Sequence, residues 1–354
     1  MTISAFDHPI LSGLLGDEEL APLFSARAEI GAMLRFEAEL ALAQADQGVI
    51  PQETAQEIAA LLAGFSPGIA ALKAGVARDG VVIPALIAQI RASLSEASRT
   101  HLHFGATSQD VIDTGFALRV REAIEILGKR LGRLIQSLES LEKRDGQIEV
   151  MAHTRMQAAI PVPASRKIRS WRAPLLRQAE RLEKALDDVA VLHFGGAAGT
   201  LDRLGEKGES VARRLAARLD LALPEHPRHS ERDGIAAFAS VLSLISGSLG
   251  KMGQDIVLAA QSEIGEIELA AGGGSSAMPH KKNPVAAEAL VTLARFNAAL
   301  VGGMHQALVH ENERSGAAWT LEWMLLPQMV VATGAATLKA SELVDGLAFR
   351  ARNA

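Results

Sequence analysis

Residues 231–268 read ERDGIAAFASVLSLISGSLGKMGQDIVLAAQSEIGEIE. The apolar positions Ile235, Phe238, Leu242, Ile245, Leu249, Met252, Ile256, Ala260, Ile264 and Ile267 recur at spacings of three and four. That is the one-sided stripe of an α-helix. At ~1.5 Å per residue, a helix over the whole stretch runs ~57 Å. Helices of such length bury their stripe in a bundle or an oligomer. The same spacing appears upstream, from Ile124 through Leu127, Leu131, Leu134, Leu138 and Leu141, and again at Ile168, Trp171, Leu175, Ala179, Leu182, Leu186 and Val189. Segments 285–309 and 318–346 look helical but are apolar on most faces, which puts them in the middle of an assembly. The fold class expected from these patterns is all-α, built on a bundle of long helices.

Composition agrees. Of 354 residues 48% are hydrophobic but only 4% aromatic, with no tyrosine, so the apolar content is mostly Ala, Leu, Ile and Val. Ala and Leu favour helices. The absence of cysteine removes disulfide frameworks, Cys–zinc sites, iron–sulfur clusters and thiol chemistry. A formal charge of −5 argues against a general nucleic-acid binder. Uncharged apolar runs fall short of the ~20 residues that a bilayer span needs, so no membrane partner is expected. Met1 to Phe24 carries Asp7, Asp17, Glu18 and Glu19 without a basic leader, unlike a signal peptide. The expectation is a soluble, cytoplasmic protein.

Before Leu102 the helices look shorter and are punctuated by Gly48, Pro51, Gly64, Pro67, Gly75 and Pro84. We read residues 1–104 as a smaller helical domain, 105–345 as the long-helix bundle and 346–354 as a short tail. No period-2 run of strand length stands out. Breaks fall at 145–165, 193–208, 221–229 and 271–284, and loops that interrupt a rigid scaffold are where chemistry concentrates.

Three stretches carry candidate chemistry. The first is His101-Leu102-His103-Phe104-Gly105-Ala106-Thr107-Ser108-Gln109-Asp110, ahead of a long helix. Thr107 and Ser108 suit an N-cap and Asp110 a first turn. By itself this is ordinary capping, although a helix start with two hydroxyls also suits a carboxylate or phosphate. His101 and His103 have no third ligand at helpful spacing, so no metal site is expected. The second stretch, Met151-Ala152-His153-Thr154-Arg155-Met156-Gln157 with Pro161 and Pro163 following, reads alone as a loop. The third is Gly272-Gly273-Gly274-Ser275-Ser276-Ala277-Met278-Pro279-His280-Lys281-Lys282-Asn283-Pro284. Its composition suits a flexible linker, and its spacing is not that of a P-loop. Its position between two long apolar helices suits a mobile loop that sets a hydroxyl beside a cation. A serine acts as a base only where a cation and N–H groups stabilise its alkoxide.

Together these stretches resemble the three motif regions of the fumarase/aspartase superfamily, over about residues 100 to 290. The third is the most specific, with Gly274-Ser275-Ser276-x-Met278-Pro279-x-Lys281-x-Asn283-Pro284 close to the full superfamily pattern. The resemblance implies an all-α homotetramer whose active sites are shared between subunits. It implies reversible proton removal next to a carboxylate with departure of a group from the β-carbon. By motif match Ser275 is the base or acid, and Lys281 and Asn283 act with it on the substrate carboxylate. Thr107, Ser108, Thr154, Gln157, Ser276 and Met278 match substrate-binding positions, and no metal or organic cofactor is implied.

One departure from the pattern narrows the reading. Most lyases of the superfamily read Thr-His-x-Gln in the second motif. Here Arg155 takes the histidine place and His153 lies two residues earlier. A guanidinium is a poor proton donor at neutral pH, which counts against elimination of an amine or hydroxide. A reaction whose leaving group is a stable carboxylate needs no such acid, and the branch of 3-carboxy-cis,cis-muconate cycloisomerases catalyses one. The run from His103 to Thr114 and the segment Trp319-Thr320-Leu321-Glu322-Trp323 look like that branch. A substrate with three carboxylates wants extra positive charge, which Arg155 could supply, with His103 and His153 as further contacts. Arg155 also reads, with less weight, as an interface ion pair, His103 equally as a structural histidine, and Trp319 and Trp323 as packing residues rather than ligand contacts. The alternatives are a carbon–nitrogen lyase of adenylosuccinate or argininosuccinate type and an inactive structural relative. The third, C-terminal domain of many members is expected to be truncated or absent.

Overall fold

The structure is a computed structural model describing residues 3–270, 272–274, 277–278 and 281–351. Among these residues the first part of the chain forms α1 (Ser12–Leu15), α2 (Ala26–Asp46), α3 (Gln52–Leu62), α4 (Ile69–Asp79), α5 (Ile83–Ser93) and α6 (Glu96–Arg99). Then come α7 (Ser108–Asp145), a hairpin of β1 (Glu149–Thr154) and β2 (Gln157–Pro163), α8 (Ser165–Val189) and α9 (Gly208–Leu219). The chain continues through α10 (Asp233–Ala259), β3 (Ile267–Leu269), α11 (Val285–Gln306), α12 (Gly316–Asp345) and β4 (Leu347–Phe349). The architecture is mostly helical, as the periodicity predicts.

The five long helices α7, α8, α10, α11 and α12 pack side by side. Their stripes point inward: Leu127, Leu131, Leu134 and Leu138 of α7, Trp171, Leu175 and Leu182 of α8, and Phe238, Leu242, Ile245, Leu249, Met252 and Ile256 of α10 are all buried. Each such side chain contributes ~1.5–3 kcal/mol when fully removed from water. In α12 every residue from Met329 to Thr337 is buried, so over this stretch the helix is enclosed on all sides. Its polar members satisfy themselves locally, with Thr333 Oγ1 donating to the Met329 carbonyl at 2.8 Å and Thr337 Oγ1 to that of Gly334 at 2.7 Å. A second apolar cluster gathers Met33, Phe36 and Leu40 of α2 with residues of α3 and α5. Val211, Leu215 and Leu219 of α9 complete it, so the chain returns to its N-terminal helices after α8.

Three sequence expectations change. The helix read over 231–268 stops at Ala259. Ile264 N and Gly265 N both donate to Gln261 O, Gly265 takes φ 60°, and Glu266 N returns to Ala259 O. Ile267 is buried all the same, because β3 pairs antiparallel with β4, Ile267 opposite Phe349. That pairing also holds the stretch read as a tail, through Phe349, whose ring stacks on Trp171 at 5.9 Å. Finally, the second motif is a β-hairpin and not a loop. Thr154 faces Gln157 across a two-residue turn in which Arg155 and Met156 have φ 49° and 64°. Positive φ at both turn residues is the I′ geometry that suits strand twist. Val150 roots the hairpin in the core, and the part beyond it stands away, with every residue from His153 to Pro161 exposed. Over that stretch no face is buried, so the sequence there lacks the apolar alternation that marks a strand.

By length and composition α10 and α11 would both pass as bilayer spans, contrary to the estimate from uncharged runs. In the most apolar window of α10, 56% of residues are buried inside the fold, against 28% for α11. The outer face of α11 carries Ala298, Ala299 and Gly302 in exposed positions.

Candidate active site

The first motif ends at the N-terminus of α7, with Thr107 as the N-cap. Ahead of it the chain needs special backbone: His103 has φ 59° and Gly105 φ 74°, and a Cβ on Gly105 would meet Leu204 at 2.9 Å. Asp110 does more than cap. Its fully buried carboxylate accepts from Thr107 N at 2.9 Å, Gly195 N at 2.9 Å, Gly196 N at 3.0 Å and His229 Nε2 at 2.8 Å. It therefore pins the glycine loop after α8 to the helix start. His103 lies with Nδ1 2.6 Å from Glu37 Oε1. Burial pushes that imidazole down, but the Glu37 carboxylate outweighs it, with help from Asp110, and the net shift is upward.

A polar network sits behind this helix start. Gln109 Nε2 donates to Asp113 Oδ2 at 3.1 Å and to His229 O at 2.8 Å. Asp113 also accepts from Arg232 Nη1 at 2.7 Å and Trp319 Nε1 at 2.8 Å, and Arg232 forks onto Glu322 at 2.9 and 2.5 Å. Burial pushes Asp113 up, yet the Arg232 cation holds it below the usual carboxylate range. The two carboxylates raise Arg232 in turn, against the burial that lowers it. Burial pushes the neighbouring His193 down to about 3, so it is neutral. Trp319 is buried, and its ring meets Trp323 edge to face at 4.7 Å. Thr107, Ser108 and Arg314, with both tryptophans, line an open cleft of about 960 Å³.

The second motif lines a different cleft, of about 550 Å³. His153, Arg155 and Met156 contribute from the hairpin, with Lys167, Lys251 and Glu266 opposite. Glu266 anchors the hairpin, accepting from Met151 N at 2.6 Å and Lys167 Nζ at 2.7 Å. Thr154 and Gln157 are exposed beside the turn.

In the third motif Ser275 and Ser276 lie outside the described residues. The base of the loop is closed by Gly273 and Asn283, each donating N–H to the other's carbonyl at 2.8 and 2.9 Å. A Cβ at Gly273 would come 2.4 Å from Val285, so only glycine fits the neck without displacement. Lys281 is exposed, Asn283 is half-buried, and Met278 is 44% exposed. Thus Thr107 and Ser108 are together in one cleft and His153 and Arg155 in another, and the two clefts share no lining residue. Sequence reasoning missed Asp110 as a hub, the Gly195-Gly196 loop and Arg314. The signal was position alone: Gly195 and Gly196 fall in the 193–208 break, Arg314 between the two apolar segments 285–309 and 318–346, and Asp110 at a helix start.

A bundle of long helices with polar clefts at the helix starts and at the loops between them defines a helical enzyme scaffold. Residues 18–298 match a protein family described as "Lyase". The chain is 40% identical over 346 residues to a protein of Bradyrhizobium diazoefficiens named 3-carboxy-cis,cis-muconate cycloisomerase, covering 96% of this chain and 76% of that one. A Pseudomonas aeruginosa protein of the same name is 40% identical over 332 residues, covering 92% and 72%. Among solved structures, the 3-carboxy-cis,cis-muconate lactonizing enzyme of Pseudomonas putida superposes with TM-score 0.91 at 34% identity, covering 97% of this chain and 78% of that one. The chain belongs to this lyase family, the fumarase/aspartase superfamily that its motifs resemble. It spans about three quarters of the length of these relatives.

Proposed function

We propose that the protein converts 3-carboxy-cis,cis-muconate to 4-carboxymuconolactone. The observation that carries this reading is Arg155 at the turn of the second-motif hairpin, where most lyases of the superfamily hold an imidazole. An exposed guanidinium there suits binding of a carboxylate and not protonation of a leaving amine. The identity to proteins named for this reaction points the same way. In the forward step a substrate carboxylate oxygen bonds to a diene carbon. The displaced π pair moves to the adjacent carbon, where the neighbouring carboxylate delocalises it, and Ser275 delivers a proton to that carbon. Lys281 and Asn283 stabilise the charge that develops on the carboxylate. Thr107, Ser108, Thr154, Gln157, Ser276 and Met278 line the substrate, with His103 and His153 as further contacts.

We also infer that the working unit is a homotetramer with shared sites. A single chain keeps the first two motifs in separate clefts, leaves the hairpin exposed and leaves one face of α11 uncovered. The test is an ultraviolet assay of purified protein with 3-carboxy-cis,cis-muconate. Lactonisation breaks the conjugated diene, so absorbance should fall, Ser275→Ala should stop the fall, and Arg155→Leu should raise KM or abolish turnover. Steady absorbance, with cleavage of adenylosuccinate or argininosuccinate instead, would replace this reading with the carbon–nitrogen lyase.

A further inference from the structure

We propose that Arg314 is a substrate-binding residue of this site, positioned by Gln109, and that it takes one carboxylate of a tricarboxylate substrate. This deepens the reading above and rests on it for the identity of the substrate. Arg314 lies just before α12 and shares the open cleft with Thr107 and Ser108.

Its orientation is fixed from behind. Arg314 Nε donates to Gln109 Oε1 at 2.8 Å, and Nη2 reaches Ala197 O at 3.3 Å. Gln109 is fully buried, and its amide has one allowed orientation. The NH2 group faces two acceptors, Asp113 Oδ2 and His229 O, so the oxygen must face Arg314. The pinned loop at Gly195 and Gly196 places the Ala197 carbonyl. The guanidinium is thus held before any ligand arrives, which lowers the entropy cost of binding.

Its charge is not spent. Both partners are neutral oxygens, and among the described residues Arg314 makes no ion pair. Of the surrounding carboxylates, Asp113 and Glu322 are engaged by the buried Arg232, Asp79 on the cleft wall by Arg78, and Glu311 by the Ser315 hydroxyl. One arginine in this network is therefore neutralised inside the fold, and the other faces an open cleft with its cation uncompensated. Nη1 makes no hydrogen bond among the described residues, which leaves donors for a carboxylate.

A purely structural Arg314 would tie the start of α12 to α7, and its loss would lower stability without changing substrate preference. The test combines kinetics with calorimetric binding of tricarballylate, a saturated tricarboxylate that does not react. With Arg314→Gln, KM for 3-carboxy-cis,cis-muconate should rise about 30- to 100-fold with kcat within a few-fold, and tricarballylate binding should weaken as much. Arg314→Lys, which keeps the charge but loses the planar fork, should fall between wild type and Arg314→Gln. Unchanged KM and tricarballylate affinity in both variants, or a loss confined to kcat, would overturn the proposal. If wild type fails to turn over carboxymuconate but binds tricarballylate through Arg314, the carboxylate site stands and the choice of substrate falls.

Discussion

His193 sits in the network behind the first motif, buried and held neutral by a pKa of about 3. In the unfolded chain it titrates near its ordinary 6.5. Between those values the unfolded state carries a proton that the folded state refuses, so stability is lost as pH falls, by about 1.4 kcal/mol per unit. His193→Gln should remove this slope. The stability difference between pH 7 and pH 5, from urea titrations, should shrink by about 2 kcal/mol. An unchanged difference would mean that the ring is hydrated or protonated in the fold. His103 works in the opposite sense: its pKa is raised, so its contribution is present at low pH and fades as pH climbs through the folded value. Both variants share that term, and it cancels in the comparison. The sequence makes these histidines visible as residue types. It does not say that one meets Glu37 and the other lies beside Arg232, because those partners come from distant helices.

At the scale of elements, glycine shows how differently helices and turns tolerate a methyl group. Gly334 lies in the enclosed α12, and a Cβ there would come 2.2 Å from Asp17 Oδ2 and 2.3 Å from Leu20. Asp17 is itself tied to Arg130 and to the N–H groups of Glu19 and Leu20, so it has no room to yield. Gly265 ends the turn after α10 at φ 60° with open space around it. Gly334→Ala should therefore destabilise by about 3 kcal/mol through overpacking. Gly265→Ala should cost only about 1 kcal/mol of backbone strain. Urea unfolding of the two variants decides the order, and the reverse order would contradict the packing described. The stripes of α7, α8 and α10 were legible because periodicity reports a buried face directly. The hairpin was not, because beyond Val150 it is exposed on both faces and writes no alternation into the sequence.

At the scale of the whole molecule, the separation of the motifs makes a prediction about mixing. If each site draws its first and third motifs from different chains, Thr107→Ala and Ser275→Ala proteins are each inactive for a different reason. Mixed, dissociated and reassembled, they should recover activity in roughly a quarter of their sites. No recovery, with mixed oligomers demonstrated by mass, would mean that each chain builds its own site. The exposed small residues on α11 and the projecting hairpin are the surfaces such an assembly would cover.

The sequence by itself determined the helical class, the positions of the long buried stripes and the three motif stretches, since each is written in local spacing or local composition. It also carried the family, because Gly274, Lys281, Asn283 and Pro284 stand in one short run. Tertiary structure alone decided where α10 stops, since β3 finds its partner about 80 residues further along the chain. It alone made Asp110 a hub for a glycine loop and a histidine, and left Arg314 charged at a cleft while Arg232 was neutralised within. Hydrogen-bond and ion-pair partners are chosen by proximity in space, and linear spacing holds no record of which distant carboxylate reaches which cation first.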